Sequence, residues 1–591
     1  MIRRRRRSKI NFLRLGPGEN IDLRIKFLGG CILLFGAVLC SRLFFLQVRD
    51  YRYFSALAQG QQYNFEVLMP PRGTIYTTSR SGEVFPLAMN KRLSLVYAVP
   101  HEIKDDDYFS KTVSQILGLD ANDVSQKIKD KDVYYRVLSR KVDQGKVLEL
   151  KGADLKGIDF TEETIRYYPY KDFASQTVGF WGYQNQKRAG QYGLEKYFDD
   201  VLAGKEGYLQ GRRDALGRWI FSQKEKEEPS KEGANIYLTI DYNIQYQAEK
   251  ILANSCEKWQ AERGSVVVLE PDTGRIKALA NWPNFDPNDY GEEKDLNIFQ
   301  NDVTERVFEP GSIFKPITMA VGLDLGVISP ETTYTDPGLI KIGGRTIENY
   351  DGKAHGIRTM TQVLEASLNT GAVFVQQKIG KSKFKEYIEK FEFDKKTGIE
   401  LPGEIKGDIQ NLNFDIDINF ATVSFGQGIN MTSIQFARAM GVLANRGVMM
   451  KPYLVEKMVF AGGKEEITQP QEIKQVVAPE TSAYLSAMLV SVVKNGHAKG
   501  AQIPGYFIAG KTGTAQIPNI GFPGYSNETI HSFVGFFPAF DPKYLILVKL
   551  DKPKGVQFAE STAVPAFKDL ARYIIDYYEI PPDYEEEKPY E

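Results

Sequence analysis

Serine and lysine residues three positions apart could carry out covalent chemistry in this chain. An unprotonated lysine can serve as the base for a serine hydroxyl, and the activated oxygen can then attack a carbonyl carbon. Residues at this spacing lie on the same face of a helix. The spacing occurs at Ser255/Lys258, Ser312/Lys315, Ser382/Lys385 and Ser491/Lys494. Because most such pairs are simply exposed to solvent, the spacing alone does not identify a nucleophile.

Other catalytic and metal-binding patterns give no support to a different chemistry. The four histidines, His101, His355, His497 and His531, are scattered without the spacing of metal ligands. No Gly-x-Ser-x-Gly motif is present, which disfavours a hydrolase with a Ser-His-Asp triad. We therefore expect serine–lysine chemistry that needs neither a metal ion nor an organic cofactor.

Two further motifs reduce the number of candidate nucleophiles. The triplet Ser-x-Asn occurs once, at Ser367–Asn369, and Lys-Thr-Gly occurs twice, at 396–398 and 511–513. Of the four serine–lysine pairs, only those of Ser255 and Ser312 precede both motifs. Ser255 lies in a charged amphipathic stretch and is interpreted as a solvent-facing residue.

Ser312 has the more suitable local sequence. It follows Pro310-Gly311, a turn that places the serine at the start of a helix. There the helix dipole favours negative charge developing on its hydroxyl. Lys315 falls on the same face, and Pro316 has no N–H to offer the Ser312 carbonyl. We predict that Ser312 is the nucleophile and Lys315 its base.

The two copies of Lys-Thr-Gly also differ in context. Lys396 lies in a polar turn, whereas Lys511 lies in the apolar stretch YFIAGKTGTAQI, which predicts a strand. Gly510 and Gly513 leave room for a substrate backbone beside that strand. We therefore assign Lys511 to the site.

The strand pattern constrains how this motif can act. Strict alternation places Thr512 and Thr514 on one face and Lys511 on the other. All three can serve one site only if the strand is a twisted edge strand at the rim of a cleft. Ser367 and Asn369 are two residues apart and cannot share a helix face, so their triplet is predicted to be a loop between helices.

Length, composition and charge limit the kind of protein. The 591 residues suggest at least two domains, and the mean hydropathy of −0.33 excludes a protein with many membrane spans. Three cysteines cannot form a disulfide framework. The formal net charge is zero, but residues 1–26 carry nine basic and two acidic residues, a net charge of +7. Such a basic segment could bind nucleic acid, but the sequence after it favours a membrane.

An apolar stretch of 22 residues follows the basic segment, FLGGCILLFGAVLCSRLFFLQV at 27–48. As a helix it would measure about 33 Å, enough to cross a bilayer core of about 30 Å. Its one charge, Arg42, lies near the end, where a long side chain can reach the headgroups. No small-x-small cleavage site follows. We predict an uncleaved anchor with a cytoplasmic N-terminus and an extracytoplasmic remainder.

The soluble part divides at a charged, Pro/Gly-containing stretch near 222–233. Beyond it come a strand at 236–241, a helix at 243–262, a predicted hairpin at 264–281 and late strands, which indicate an α+β fold. The predicted segments are a basic tail (1–26), a transmembrane helix (27–48), an N-terminal domain (49–235), a catalytic domain (236–580) and a disordered acidic tail (581–591).

Taken together, these motifs resemble the class B penicillin-binding proteins, membrane-anchored peptidoglycan D,D-transpeptidases. The N-terminal domain contains PPRGTIY (70–76), RYYP (166–169) and YGLEKYFDDVLAGKEG (192–207), which are similar to the family's pedestal motifs. In the C-terminal part, VFEPGSIFKP and AGKTGTAQIP are most similar to the division or sporulation branch. One departure is the stretch after Tyr76, Thr77–Gly82, where the family usually has Asp-Arg-Asn-Gly.

The resemblance implies a fold and a role for each motif. The fold would be an elongated pedestal of the dimerisation type, followed by a penicillin-binding domain like that of serine β-lactamases, with an antiparallel sheet and helices. Ser312 would form an acyl-enzyme with a stem peptide ending in D-Ala-D-Ala, with Lys315 as base. Ser367 would relay a proton, and Asn369 would orient Lys315 and hold the peptide. The implied carboxylate site is Lys511, Thr512, Gly513 and Thr514.

The resemblance also implies partners and leaves alternatives open. Expected partners are peptidoglycan stem peptides, β-lactams as inhibitors, a membrane glycosyltransferase and other division proteins, at the cytoplasmic membrane and without nucleic acid. The alternatives are an elongation-type transpeptidase, a β-lactam-hydrolysing or β-lactam-sensing protein, and a non-catalytic scaffold of the division machinery.

The predicted membrane topology can be tested with a reporter enzyme that is active only outside the cytoplasm. Fused after residue 60, it should be active, because a net charge of +7 precedes a single predicted span. Activity at the same fusion point of a reporter that works only in the cytoplasm would contradict the topology.

Overall fold

The computed structural model describes residues 19–44, 64–184, 187–213, 219–220, 226–519, 521 and 524–585. Its helices are α1 (Glu19–Phe44), α2 (Asp106–Leu117), α3 (Ala121–Ile128), α4 (Gln144–Gly152), α5 (Ser175–Val178), α6 (Gly193–Tyr197), α7 (Asp199–Ala203), α8 (Tyr242–Trp259), α9 (Asp302–Glu305), α10 (Lys315–Asp324), α11 (Met360–Glu365), α12 (Asn369–Ile379), α13 (Lys381–Lys390), α14 (Asp417–Val423), α15 (Ser433–Ala444), α16 (Pro479–Asn495) and α17 (Ala563–Tyr578).

The strands alternate with these helices along the chain. They are β1 (Asn64–Leu68), β2 (Ile75–Thr78), β3 (Val84–Ala98), β4 (Arg136–Val142), β5 (Ile158–Tyr167), β6 (Trp181–Gln184), β7 (Lys187–Gly190), β8 (Gly207–Arg213), β9 (Trp219–Ile220), β10 (Lys226–Glu228), β11 (Asn235–Asp241), β12 (Arg263–Leu269), β13 (Ile276–Trp282), β14 (Val307–Phe308), β15 (Thr333–Asp336), β16 (Leu339–Ile342), β17 (Arg345–Glu348), β18 (Gly356–Thr359), β19 (Met431–Thr432), β20 (Val448–Met450), β21 (Val455–Val459), β22 (Glu465–Ile467), β23 (Glu472–Gln475), β24 (Ala509–Pro518), β25 (Tyr525–Phe537) and β26 (Tyr544–Asp551).

The chain forms two compact units, and the smaller contains residues 1–70 and 205–231. Its described parts are helix α1 and a small antiparallel sheet in which β8 pairs with β1, β9 and β10. Within the described ranges, no helix is long and apolar enough to cross a membrane. The predicted span over 27–48 extends past Phe44 into residues outside the described ones, as do residues 1–18 of the predicted basic tail.

The larger unit contains residues 71–204 and 232–591, and a five-stranded antiparallel sheet forms its centre. The strand order is β13-β12-β26-β25-β24, so β24 is an edge strand. The predicted hairpin is confirmed, because β12 pairs with β13 in antiparallel register. The late strands are also confirmed, with β24 beginning at Ala509, later than the apolar sequence suggested. The α+β fold with an antiparallel sheet is therefore as predicted.

Alternation along β25 determines what each face of this sheet contacts. Phe533 and Phe537 pack against Phe567 of α17. On the other face, Ser532 lies opposite Gly513 of β24 and close to the segment that begins α10. Helix α8 packs against α17 and the β12–β13 hairpin. The predicted nucleophile segment and α17 thus contact different faces of one sheet.

A second sheet contains strands from both sides of residue 235. In the order β22-β21-β11-β2-β3-β4, with β5 also on β3, strand β11 pairs in parallel with β2 and antiparallel with β21. The unusual turn after Tyr76 lies at the end of β2. Its serines contact each other, with Ser79 Oγ 2.7 Å from Ser81 Oγ, and the Arg80 N–H donates to Tyr577 Oη of α17. Local hydroxyl groups and a tyrosine therefore satisfy this turn without the family's aspartate.

Three sequence motifs of the N-terminal domain converge on one buried carboxylate. Glu195 has no exposed surface and accepts hydrogen bonds from Arg72 Nε at 2.8 Å and from Arg166 Nε at 2.6 Å. Arg72 also contacts Asp199 at 2.7 Å. Burial alone would raise the pKa of Glu195, but Arg166 and Arg72 lower it overall. The motifs PPRGTIY, RYYP and YGLEKYF are thus parts of one ionic cluster.

At the C-terminus, residues 581–585 of the predicted tail contact the segment before β24. The Phe507 N–H donates to Asp583 Oδ2 at 2.7 Å, and the rings of Phe507 and Tyr584 lie 4.9 Å apart. Residues 586–591 lie outside the described residues.

Glu195→Ala should lower the free energy of unfolding by about 3–5 kcal/mol, because it leaves two buried guanidinium groups without their shared carboxylate. Urea unfolding followed by circular dichroism at neutral pH measures the change. Since the pKa of Glu195 is lowered, its stabilising effect is present at neutral pH and is lost only as the pH falls below the usual range of a carboxyl group.

The matched control is Glu386→Ala, which removes exposed ion pairs to Lys383 and Lys390 and should change stability little. An equal decrease in the free energy of unfolding in the two variants would contradict the larger stabilising effect proposed for the buried cluster.

Candidate active site

The candidate site lies where the edge strand β24 meets the turn that begins α10. A Cβ atom on Gly513 would lie 2.5 Å from Ser532 Oγ and 3.1 Å from the Pro310 carbonyl oxygen. A Cβ atom on Gly311, where φ is +57°, would lie 2.9 Å from that of Ala515. Only glycine allows the strand and the turn to approach this closely, and the approach sets Ser312 beside β24.

Ser312 lies in a 3₁₀ turn, Gly311–Phe314, rather than in the first turn of a regular α-helix. The Lys315 N–H donates to the Ser312 carbonyl, which replaces the bond that Pro316 cannot make. The Gly311 N–H donates to the Gly426 carbonyl at 3.0 Å, which attaches the turn to the loop after α14. Ser312 Oγ is half-buried and makes no hydrogen bond with any residue in the described part of the chain.

Ser367 lies between two buried lysines, Lys315 and Lys511. Lys315 Nζ donates to the Ser367 carbonyl and lies 3.2 Å from Ser367 Oγ. Lys511 Nζ donates to the same Oγ at 3.0 Å and to the Thr512 carbonyl at 3.1 Å. Both lysines have no exposed surface. A strained backbone at Ser367, with φ of +53° between α11 and α12, aims this hydroxyl at them.

Burial shifts the titration of both lysines. It lowers the pKa of Lys315 well below its ordinary value, and repulsion from Lys511 lowers it further. Burial also lowers the pKa of Lys511, to about 7, although the carboxylate of Glu560 opposes the shift. Lys315 is therefore the lysine that gives up its proton more readily, which is the property a base requires.

The remaining predicted residues are distributed around this centre. Asn369, the first residue of α12, donates to the Glu348 carbonyl at 2.8 Å and makes no hydrogen bond to Lys315. Thr512 Oγ1 lies 3.4 Å from Lys511 Nζ. Thr514 Oγ1, on the same face of β24 as Thr512, accepts the Ala559 N–H at 3.2 Å. The predicted edge position of β24 is confirmed.

The alternative copies of the motifs lie in other surroundings. Thr397 and Gly398 donate their N–H groups to the Glu404 carboxylate at 2.6 and 3.0 Å, so the first Lys-Thr-Gly is a turn, with Lys396 exposed. Ser255 lies within α8, away from these groups, and Ser491 donates to Glu365. Residues 505–512, GYFIAGKT, also fit a phosphate-loop pattern, but they lead into a strand where such a loop leads into a helix.

Sequence reasoning gave no role to Glu309, three residues before Ser312. Its carboxylate accepts the Gly428 N–H at 3.0 Å and the Tyr525 hydroxyl at 3.0 Å. It therefore ties the nucleophile turn to a neighbouring loop and to the start of β25. Burial raises the pKa of Glu309. The only sequence signal for it was its place in the stretch FEPG.

Comparison with known proteins identifies the family. A family model described as the penicillin binding protein transpeptidase domain matches residues 264–572, and one described as the penicillin-binding protein dimerisation domain matches residues 67–238. The chain is 32% identical over 565 residues to stage V sporulation protein D of Bacillus subtilis, covering 94% of this chain and 86% of that protein. It is 29% identical over 585 residues to a peptidoglycan D,D-transpeptidase FtsI homolog of Mesostigma viride, covering 94% of this chain and 95% of that protein.

A solved structure shows the same architecture. Penicillin-binding protein 3 from Mycobacterium tuberculosis, complexed with aztreonam, matches with a TM-score of 0.67 and 25% identity over 88% of this chain and 98% of that chain. Both family domains lie in the order that the motifs predicted. The chain therefore belongs to the class B penicillin-binding proteins, the serine-type peptidoglycan D,D-transpeptidases.

Proposed function

We propose that this chain cross-links peptidoglycan through an acyl-enzyme on Ser312, in the synthesis of the division septum. The observation that carries the proposal is the pair of buried lysines, Lys315 and Lys511, which share Ser367 Oγ beside the Ser312 turn. Such an arrangement supplies a neutral base, a cation and a proton relay within one small volume.

Acylation begins when Lys315 takes the Ser312 proton. Ser312 Oγ then attacks the carbonyl carbon between the last two D-alanines of a stem peptide. The backbone N–H groups of Ser312 and Thr514 stabilise the oxyanion, each contributing about 3–4 kcal/mol. As the C–N bond breaks, Ser367 passes a proton to the departing D-alanine. The released amino acid takes up the proton that Ser312 lost, and the acyl group stays on Ser312.

The substrate's terminal carboxylate would bind where β24 borders the opening. Lys511 supplies positive charge, Thr512 and Thr514 supply hydroxyl donors, and Gly513 keeps the strand open to a substrate backbone. Asn369 would hold the donor peptide once it exchanges its bond to the Glu348 carbonyl for a substrate group. An amine of a second stem peptide then attacks the acyl carbonyl, which frees Ser312 and forms the cross-link.

The cellular setting is part of the proposal. The apolar stretch at 27–48 would anchor the chain in the cytoplasmic membrane with its N-terminus inside, and residues 49–235 would be the pedestal of an extracytoplasmic catalytic domain over 236–580. A membrane glycosyltransferase would supply the glycan strands. The similarity to a protein named for sporulation favours the division branch over the elongation branch. A fluorescent fusion at the septum would support this choice, and one along the side wall would contradict it.

Ser312→Ala should abolish covalent labelling by a fluorescent penicillin while the protein stays folded, because the acylated oxygen is the only group removed. Lys315→Ala should strongly reduce labelling, because Ser312 then lacks its base. Gel fluorescence measures the labelling, and mass spectrometry of the digested protein locates the penicilloyl group.

Two matched controls use the alternative motifs. Ser255→Ala and Lys396→Ala should label like the unmodified protein. Ser255 lies within α8, and Lys396 lies on an exposed turn. A penicilloyl group on a serine outside residues 308–316 would contradict the assignment of Ser312.

The second-order rate constant of acylation should have a bell-shaped pH dependence. It should rise as Lys315 loses its proton and fall as Lys511 loses its own, with the descending limb near pH 7. Glu560→Gln should move that limb to lower pH, because it removes the carboxylate that raises the pKa of Lys511. Stopped-flow acylation across the pH range measures both limbs, and a limb that moves upward in the variant would contradict the proposed role of Lys511.

A further inference from the structure

A cavity of about 590 Å³ opens beside the Ser-x-Asn loop. One wall comes from the end of β18 and α11, with Arg358 and Ala366. The second comes from the end of α16 and the following loop, with His497 and Lys499. The third is the turn that contains Glu560. None of these side chains takes part in the acylation steps described above, apart from the effect of Glu560 on Lys511.

Two walls of the cavity adjoin residues assigned to the reaction. Ala366 directly precedes Ser367, whose hydroxyl contacts both catalytic lysines. The Ala559 N–H donates to Thr514 Oγ1 at 3.2 Å, so the third wall touches the strand assigned to the donor carboxylate. The cavity therefore lies next to the loop and the strand that would surround the departing D-alanine in the proposed reaction.

Some charged groups in the cavity have hydrogen-bond or ion-pair partners, and others have none among the described residues. Glu560 is held by His497 Nδ1 at 2.8 Å, and His497 Nε2 lies 2.9 Å from Tyr350 Oη. In contrast, the side chains of Arg358 and Lys499 make no ion pair or hydrogen bond with another residue of the described ranges. Arg358 Nε is buried and has no acceptor there. Glu365 also lines the cavity, but its carboxylate accepts a hydrogen bond from Ser491 and pairs with neither cation. Arg358 and Lys499 therefore have no carboxylate partner among the described residues, which suits them to an anionic ligand.

We propose that this cavity binds the acceptor stem peptide, with Arg358 and Lys499 holding its C-terminal carboxylate. The inference rests on the proposed function and adds the second substrate to it. In the forward reaction the donor amide breaks and an amine leaves beside Ser367. By microscopic reversibility the attacking amine must enter by the same position. It passes its proton through Ser367 to Lys315, which returns it to Ser312 Oγ as the ester breaks and the new amide forms. The rest of the acceptor then extends into the space next to that position.

The test separates acceptor binding from donor chemistry. The full-length protein is acylated with a thioester analogue of the donor peptide, and thiol release reports the acylation rate. The acyl-enzyme then partitions between water and one of two synthetic acceptors. Both are stem peptides with one free side-chain amine, and one carries a free C-terminal carboxylate where the other carries an amide. Chromatography gives the ratio of aminolysis to hydrolysis for each.

The unmodified protein should use the free-carboxylate acceptor about tenfold better than the amidated one. Arg358→Ala and Lys499→Ala should each remove most of this preference, and Arg358→Lys should retain part of it. The matched control is Lys494→Ala, an exposed lysine at the end of α16 that does not line the cavity. It should keep the full preference.

The outcomes distinguish the two proposals. Normal acylation of Ser312 with an unchanged preference in both Arg358→Ala and Lys499→Ala would overturn the acceptor site alone. Equal use of the two acceptors by the unmodified protein would overturn it as well. An acyl group that forms away from Ser312 would instead overturn the proposed function on which this inference rests.

Discussion

Two lysines without exposed surface share one serine hydroxyl, that of Ser367. The rest of the larger unit must offset the free-energy cost of burying them. The pKa of Lys511 is about 7 against an ordinary 10.5, so its protonated form is destabilised in the fold by about 5 kcal/mol. A hydrogen bond contributes only about 1 kcal/mol net, so the contacts to Ser367 and Thr512 do not offset this cost. The offset comes from the apolar core packed around the site, including Ile313, Phe314 and Ile317 on the Lys315 side.

Close backbone contact is the second requirement of the site. Gly513 and Gly311 allow β24 and the 3₁₀ turn to touch, and Gly426 holds the turn through the Gly311 N–H. Because β24 is an edge strand, its outer side remains free for a substrate while its inner side is fixed by β25. The lysines thus lie in rigid, packed structure, while the outer edge of β24 stays open to the substrate.

The N-terminal part contributes to the same compact unit by different means. There a buried carboxylate, Glu195, joins Arg72 and Arg166 from distant parts of the chain. Strand β11 pairs with β2 on one side and β21 on the other, so the second sheet connects segments far apart in sequence. Removing one member of such a buried ionic cluster leaves uncompensated charge, which explains why all three motifs are needed together.

The sequence by itself determined the elements and the chemistry. Sequence patterns indicated the β12–β13 hairpin and the late strands. Motif order together with local sequence context favoured Ser312 and Lys511 over their alternative copies. The strand predictions succeeded because they depend on local spacing, which alternation translates directly into structure. The sequence predicted that Ser312 begins a helix, whereas the structure places it in a 3₁₀ turn, in keeping with the α-helical bond that Pro316 removes.

Tertiary structure decided what local spacing cannot encode. It turned the Asn369 side chain to the Glu348 carbonyl, gave Glu309 its two partners and brought Arg72, Arg166 and Glu195 together. It also placed β11 beside β2 and opened the cavity next to Ala366. Each of these depends on segments many residues apart meeting in the folded core. Neither periodicity nor propensity along the chain predicts such long-range contacts. The free energy that stabilises them arises only when the separate surfaces are buried against one another.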